Sequence, residues 1–327
     1  MKKVIVSHSM LATSCLCKTK AVAQTNNWTM GQVKEDAPME AGSAAHLAWE
    51  QWLLGQPPQV VQQTFRDAYK PFSDAYVLSD DRLHLSNLER VFEAFCATCV
   101  LSAQPFRVVV QKGQVQSEHQ MFASINGYVG QHRLPEHNVQ MSDKSDGIVE
   151  NVDNGSLYSL EWKSTGEWLG EDTMNKYLLD DQISAHTYVC RENGYDVKGV
   201  LMFIVQFSKL PVPSKDKCRD HKIPKSDCWP AHLRFQRFFI DRSPEQLEQW
   251  KREAEVEAYK YADELIRFEA AGRDFARART PMEGLFNGSC AKCRLRDFCL
   301  RDRRGTDMLI TRQPTDTTIV RSGVYDA

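Results

Sequence analysis

"SDGIVENVDNGSLYSLEWKST", residues 145–165, is the stretch whose reading decides the fold. Two runs that suit extended backbone, SDGIVENV (145–152) and SLYSLEWKS (156–164), flank the turn-forming DNGS (153–156). That is the pattern of two antiparallel strands joined by a short hairpin. Strand side chains alternate between faces, so Glu161 and Lys163 project together from the second strand. On an exposed face they would form a cross-strand salt-bridge surface worth about 0.5 kcal/mol. The hairpin offers another use, because it brings Asp146, near the start of the first strand, alongside Glu161. The two carboxylates would then bind one hard divalent cation, Mg²⁺ or Mn²⁺, through oxygen ligands. Such a cation polarises a phosphate and activates water at neutral pH. Lys163, a compact point charge, would orient that water or neutralise charge developing on the phosphoryl group.

Around the hairpin, helical spacing of Ala44, Leu47, Ala48, Trp49 and Leu53 predicts a helix over 40–54, and 86–103 predicts another carrying Val91, Phe92, Phe95 and Val100. FRVVVQ (106–111) and HQMFASINGYVG (119–130) read as strands before the hairpin. After it come a helix over 175–193, an apolar strand over 197–207, a charged, proline-rich loop over 208–232 and a strand over 233–240. Ser243 then caps a long helix with Pro244 at its first position. This order predicts an α/β protein with a mixed central sheet flanked by helices, a helix-rich C-terminal extension and a polar tail over 301–327.

The 327 residues are 42% hydrophobic and 26% charged, a normal globular composition, and the net charge of −2 gives no global basic field. No apolar run is long enough to span a bilayer, so no membrane association is expected. The opening MKKVIVSHSMLATSCLCKTK faintly echoes a signal peptide, but His8 and Ser9 interrupt its apolar stretch. The expectation is a strand and the start of a helix in a cytoplasmic protein.

Two further residues bear on the paired carboxylates. His46, in GSAAH (42–46), would reach the metal as an imidazole ligand, and Gln182 follows on the helix after the Glu161 strand. Taken in order, Gly42 and His46, Asp146 and Gly147, Glu161 and Lys163, then Gln182, the chain resembles the RecB-like branch of the PD-(D/E)XK nucleases over roughly residues 5–300. The resemblance implies a single nuclease domain over 1–300, with a restriction-endonuclease-like core at about 40–210. It implies a metal held by His46, Asp146 and Glu161, with Asp146, Glu161, Lys163 and Gln182 as the catalytic set. Two positions depart from the family. His186 stands where its Gln-x-x-x-Tyr motif has tyrosine, with Tyr188 two residues on, and Asp143, Lys144 and Ser145 stand where a glycine often precedes the aspartate.

Ten cysteines exceed what a cytoplasmic chain of this size needs, and without a credible signal they argue for metal. Cys290, Cys293 and Cys299 lie close together near the C-terminus and lack a fourth ligand. One distant cysteine would complete a zinc site or a [4Fe–4S] cluster. A subgroup of the resembling family, including the CRISPR-associated spacer-adaptation exonucleases and their phage-borne relatives, holds a [4Fe–4S] cluster with one N-terminal and three C-terminal cysteines. The resemblance thus implies a cluster on Cys17, Cys290, Cys293 and Cys299, joining the region 243–300 to the N-terminus, with Cys15 as alternative to Cys17. Cys96, Cys99 and Cys190 read as buried small residues, and Cys218, His221 and Cys228 as part of a second metal site with one ligand short.

The expected activity is a Mg²⁺- or Mn²⁺-dependent DNA exonuclease preferring single strands, in a bacterial or phage-infected cell. Lys18, Lys20, Arg191, Lys209, Lys251 and Arg252 are candidates for phosphate contact. No G-x-x-x-x-G-K-[ST] loop is present, so unwinding is expected from a partner, such as a recombination or spacer-acquisition protein. The alternatives are a catalytically silent nuclease-fold DNA-binding module within such a complex, and a zinc-stabilised interaction protein.

Overall fold

The computed structural model describes residues 2–26, 28–30, 37–75, 83–99, 104–111, 114–115, 117–125, 137–166, 169–207, 217, 222, 224, 234–278, 290, 293, 295, 298–299, 309–311 and 323–326. Cys218, His221, Cys228, Lys209 and residues 126–130 of the predicted second strand lie outside them.

The chain opens with strand β1 (Lys2–Ser7) and helices α1 (His8–Leu16) and α2 (Lys18–Thr25), as its first residues predict. Ser7 ends the strand and caps α1, its hydroxyl accepting from the Met10 amide at 3.3 Å. Strand β2 (Trp28–Met30) leads to three helices, α3 (Ala37–Leu53), α4 (Pro58–Ala75) and α5 (Leu85–Thr98). Four strands follow: β3 (Phe106–Val108), β4 (Val110–Gln111), β5 (Gln114–Val115) and β6 (Ser117–Ser124). Next come the hairpin strands β7 (His137–Asn151) and β8 (Leu157–Thr165), then α6 (Glu171–Leu178), α7 (Asp181–Glu192), β9 (Val197–Gln206) and β10 (Arg234–Asp241). The long helix α8 (Pro244–Ala270), the short α9 (Phe275–Ala278) and strands β11 (Leu309–Thr311) and β12 (Gly323–Asp326) complete the described elements.

The central sheet runs β10-β9-β8-β7-β1-β12, with β3 and β6 also paired to the long β7. It is mixed, since β8 lies parallel to β9 and β1 parallel to β7, while the other pairs are antiparallel. The β7–β8 hairpin has the predicted form, with Gly147 opposite Leu160 and Glu150 opposite Leu157. Gly155 turns it at φ +68°, a conformation that favours glycine. On β9, Gly199 lets β10 approach, since a Cβ there would stand 1.9 Å from the Ile240 carbonyl oxygen.

Two apolar layers sandwich the sheet. In one, α3, α4 and α5 pack Trp49, Trp52, Phe65, Phe92 and Phe95 against Leu160, Trp162 and Phe203 of β8 and β9. In the other, α1, α2, α7 and α8 bury Val4, Val6, Met141 and Ile148. Three departures from the sequence expectation stand out. Helix α4 lies where none is predicted, although Val61, Phe65 and Tyr69 recur every four residues and are fully buried. The single helix predicted over 175–193 is two, because Asp180 caps α7 afresh by accepting from the Gln182 amide at 2.9 Å. The expected polar tail supplies β11, paired with β2, and β12, paired with β1.

Candidate metal centre and active site

The ladder between β7 and β8 ends at Gly147 and Leu160, so Asp146 and Glu161 would form the next opposing pair. There the strands part and a side chain replaces the backbone bond, Asp146 Oδ2 accepting from the Trp162 amide at 2.6 Å. Its other oxygen, Oδ1, lies 3.1 Å from His46 Nδ1 on α3. Trp49 fixes α3 at this height, its ring 4.2 Å from that of Trp162. One turn before His46, a Cβ on Gly42 would stand 3.7 Å from Ser164 Oγ, so the helix runs close to the end of β8.

Because Trp162 is buried in the α3 layer, its neighbours Glu161 and Lys163 face the other way, toward α7. Glu161 Oε1 is bonded to the Lys163 ammonium and accepts from Gln182 Nε2 at 2.8 Å. Its Oε2 lies 2.9 Å from His186 Nε2. Beyond the imidazole, His186 Nδ1 is paired with Asp143 on β7. His46, Asp146, Glu161, Lys163 and Gln182 are thus gathered at one end of the hairpin. The sequence reading did not assign a role to Asp143 or His186 in this group, and no local pattern links residues 43 positions apart. His8 also approaches from the β1–α1 junction, its Nε2 4.0 Å from Asp180 Oδ1.

The charges reinforce one another despite burial. Burial pushes the Glu161 carboxyl up, but Lys163 and His186 outweigh it and hold the group well below the usual carboxylate range. Burial likewise opposes charge on His186, and the Asp143 and Glu161 carboxylates overcome it, holding the imidazole well above its ordinary value. For Lys163, burial lowers and Glu161 raises, with a net rise above 10.5. Lys163 is therefore a cation at neutral pH and suited to stabilise negative charge rather than to take up a proton. Its side chain is 29% exposed and that of His46 34%, so both open to solvent, whereas His186 is 1% exposed.

Asp146, Glu161 and His46 offer two carboxylates and an imidazole, a donor set whose chemistry fits a Mg²⁺ or Mn²⁺ ion. Among the described residues, no three His, Cys, Asp or Glu side chains are placed together so as to hold a metal ion. His46 and Asp146 are adjacent, while Glu161 is turned to Lys163, Gln182 and His186.

None of the cysteines named as cluster ligands is joined in a disulfide to another described cysteine. Cys17 is buried at the break between α1 and α2, and Cys15 is exposed on α1. Cys293 and Cys299 pack against the apolar layer that contains Leu11, Ala21, Val22 and Ala23 of the N-terminal helices. Cys96, Cys99 and Cys190 are buried in the layers, matching the sequence expectation. Among the basic candidates, Arg191 Nε donates to the Val197 carbonyl, Lys251 lies over the Tyr188 ring and Arg252 is 3.9 Å from Glu248. Tyr188 is buried and donates to the Ser124 carbonyl at 2.7 Å.

No protein-family model and no curated protein matches the chain. A solved structure, described as the crystal structure of SSO0001, aligns with 88% of this chain and 96% of its own at 13% identity and a TM-score of 0.29. That likeness is too distant to carry an argument. No helix among the described residues is long and apolar enough to cross a membrane.

Proposed function

We propose that the protein is a RecB-like nuclease with a restriction-endonuclease-like core, hydrolysing DNA phosphodiester bonds as a Mg²⁺- or Mn²⁺-dependent exonuclease that prefers single strands. The observation that carries this reading is the convergence of His46, Asp146, Glu161, Lys163 and Gln182 on the open end of one hairpin. Two buried carboxylates beside a permanently charged lysine are the equipment phosphodiester hydrolysis calls for.

Asp146 and Glu161, with His46, would hold the divalent cation. A divalent cation bound there would supply Lewis-acid polarisation of the scissile phosphate and an activated water. Lys163 places its ammonium beside Glu161 and stabilises negative charge accumulating on the phosphoryl oxygens. Gln182, through its amide on Glu161 Oε1, keeps that carboxylate from turning away. Trp49 packs against Trp162, and both rings are fully buried on the α3 side of the hairpin.

A [4Fe–4S] cluster on Cys17, Cys290, Cys293 and Cys299 belongs to the same reading. It rests on the thiolate chemistry of that set and on Cys293 and Cys299 packing against the layer that includes α1 and α2.

The test is digestion of end-labelled single-stranded DNA by anaerobically purified protein with Mn²⁺, Mg²⁺ or EDTA, beside Lys163→Ala. Metal-dependent shortening that the variant loses by at least about 100-fold is the expected result. Folded, iron-loaded protein that binds but never shortens DNA would replace it with a silent DNA-binding module.

A further inference from the structure

Glu161 is held from two sides, and only one side belongs to the set argued above. Lys163 and Gln182 secure Oε1, while Oε2 is 2.9 Å from an imidazole whose far nitrogen is paired with Asp143. We propose that Asp143 and His186 are positioning residues, a buried carboxylate–imidazole brace that sets the Glu161 carboxylate for divalent-cation binding; this rests on the nuclease reading.

The geometry favours this over a merely structural ion cluster. Asp143, His186 and Glu161 are each buried, His186 almost completely. Burying three ionisable side chains together carries a large desolvation penalty, and such triads seldom stabilise a fold more than apolar side chains of the same volume. What they do provide is fixed orientation. His186 sits mid-helix on α7 and cannot swing with the hairpin, and Asp143 lies on β7, the strand that also carries Asp146. The brace therefore ties Glu161 to α7 and to β7, the strand that carries Asp146. A carboxylate behind an imidazole fixes the orientation of the ring toward the group in front, as outer partners of metal ligands widely do.

The brace also explains how the site accommodates histidine where the resembling family has tyrosine. His186 turns inward between two carboxylates. Tyr188, two residues on, is bonded to the Ser124 carbonyl and packs beside Trp250.

Asp143→Asn and His186→Gln are compared with wild type for Mn²⁺ affinity by calorimetry, for kcat and KM on a single-stranded oligonucleotide, and for fold by circular dichroism. Folded variants should bind Mn²⁺ about 10- to 100-fold more weakly and lose kcat in proportion, while KM for DNA stays within about twofold. Wild-type Mn²⁺ affinity and kcat in either folded variant would overturn the brace and leave the nuclease reading standing. Wild-type protein that neither binds Mn²⁺ nor cuts DNA would remove both. A measurement on the unaltered protein covers variants that fail to fold. The His186 Nε2 signal in ¹⁵N spectra, assigned through bonds, should move when Mg²⁺ reaches Glu161, and a signal that stays fixed would overturn the brace.

Discussion

Glu161 receives a lysine ammonium, a glutamine amide and an imidazole, and it is buried. A carboxylate so surrounded must be ionised for its partners to be satisfied, and its value is depressed accordingly. Its ordinary value is 4.5, so its charge contributes stability that is present above about pH 4.5 and lost as pH falls toward the depressed folded value. In metal-free protein, Glu161→Gln should be less stable than wild type by about 2 kcal/mol at neutral pH, the scale of charged hydrogen bonds. Urea denaturation at a series of pH values should show that difference shrinking below about pH 4.5. A gap that holds constant down to about pH 3 would mean that folding leaves the Glu161 carboxyl undepressed. The same substitution should abolish metal-dependent cleavage. At this scale the sequence was informative about His46, Asp146, Glu161, Lys163 and Gln182, which the fold brings together. Asp143 and His186 were visible only as departures from a motif, because what matters about them is a pairing across 43 residues that only folding creates.

Each of these side chains is held by an element with its own reason to form. Helix α3 is a run of alanines and tryptophans whose buried face is set by Ala41, Ala44, Ala45, Ala48, Trp49 and Trp52. Trp49 stacks on Trp52 and packs tilted against Trp162, and it lies three residues after His46, on the adjoining part of the helix surface. The aromatic contact is therefore what sets the distance between His46 and Asp146. Trp49→Ala should destabilise the fold by about 3–5 kcal/mol. Where it still folds, it should weaken Mn²⁺ binding more than His46→Ala does, because it loosens the whole helix against β8. Thermal melts and Mn²⁺ titration of the two variants check this, and equal or smaller metal loss in Trp49→Ala would show that α3 is set by other contacts. Elements with strong periodicity, such as α3 and the capped α8, were legible. The break between α6 and α7 was not, since the Asp180 cap interrupts a stretch whose composition stays helical on both sides. Strands β11 and β12 are three and four residues long, too short to show a period, and they exist because β2 and β1 offer them an edge.

At the scale of the molecule the two chain ends meet. Strand β12 pairs with β1, β11 with β2, and Cys293 and Cys299 rest on the layer built by α1, α2 and α8. A cross-link from the N-terminal cysteine to Cys290 would close a loop of about 270 residues, worth about 5–6 kcal/mol in a chain-entropy account. Which cysteine closes it follows from the surroundings of the two candidates. Cys15 is exposed, and partial burial together with the nearby Glu257 carboxylate raises its thiol, which disfavours the thiolate a cluster needs. Cys17 is buried, in extended backbone between two helices. Cys17→Ser should therefore lose iron and several kcal/mol of stability together, while Cys15→Ser keeps both. Iron content per chain and denaturation midpoints, measured on anaerobically purified variants, decide between them. Iron lost from Cys15→Ser and retained in Cys17→Ser would reverse the assignment. Iron absent from wild type, with zinc in its place, would keep the cross-link and change the metal that makes it.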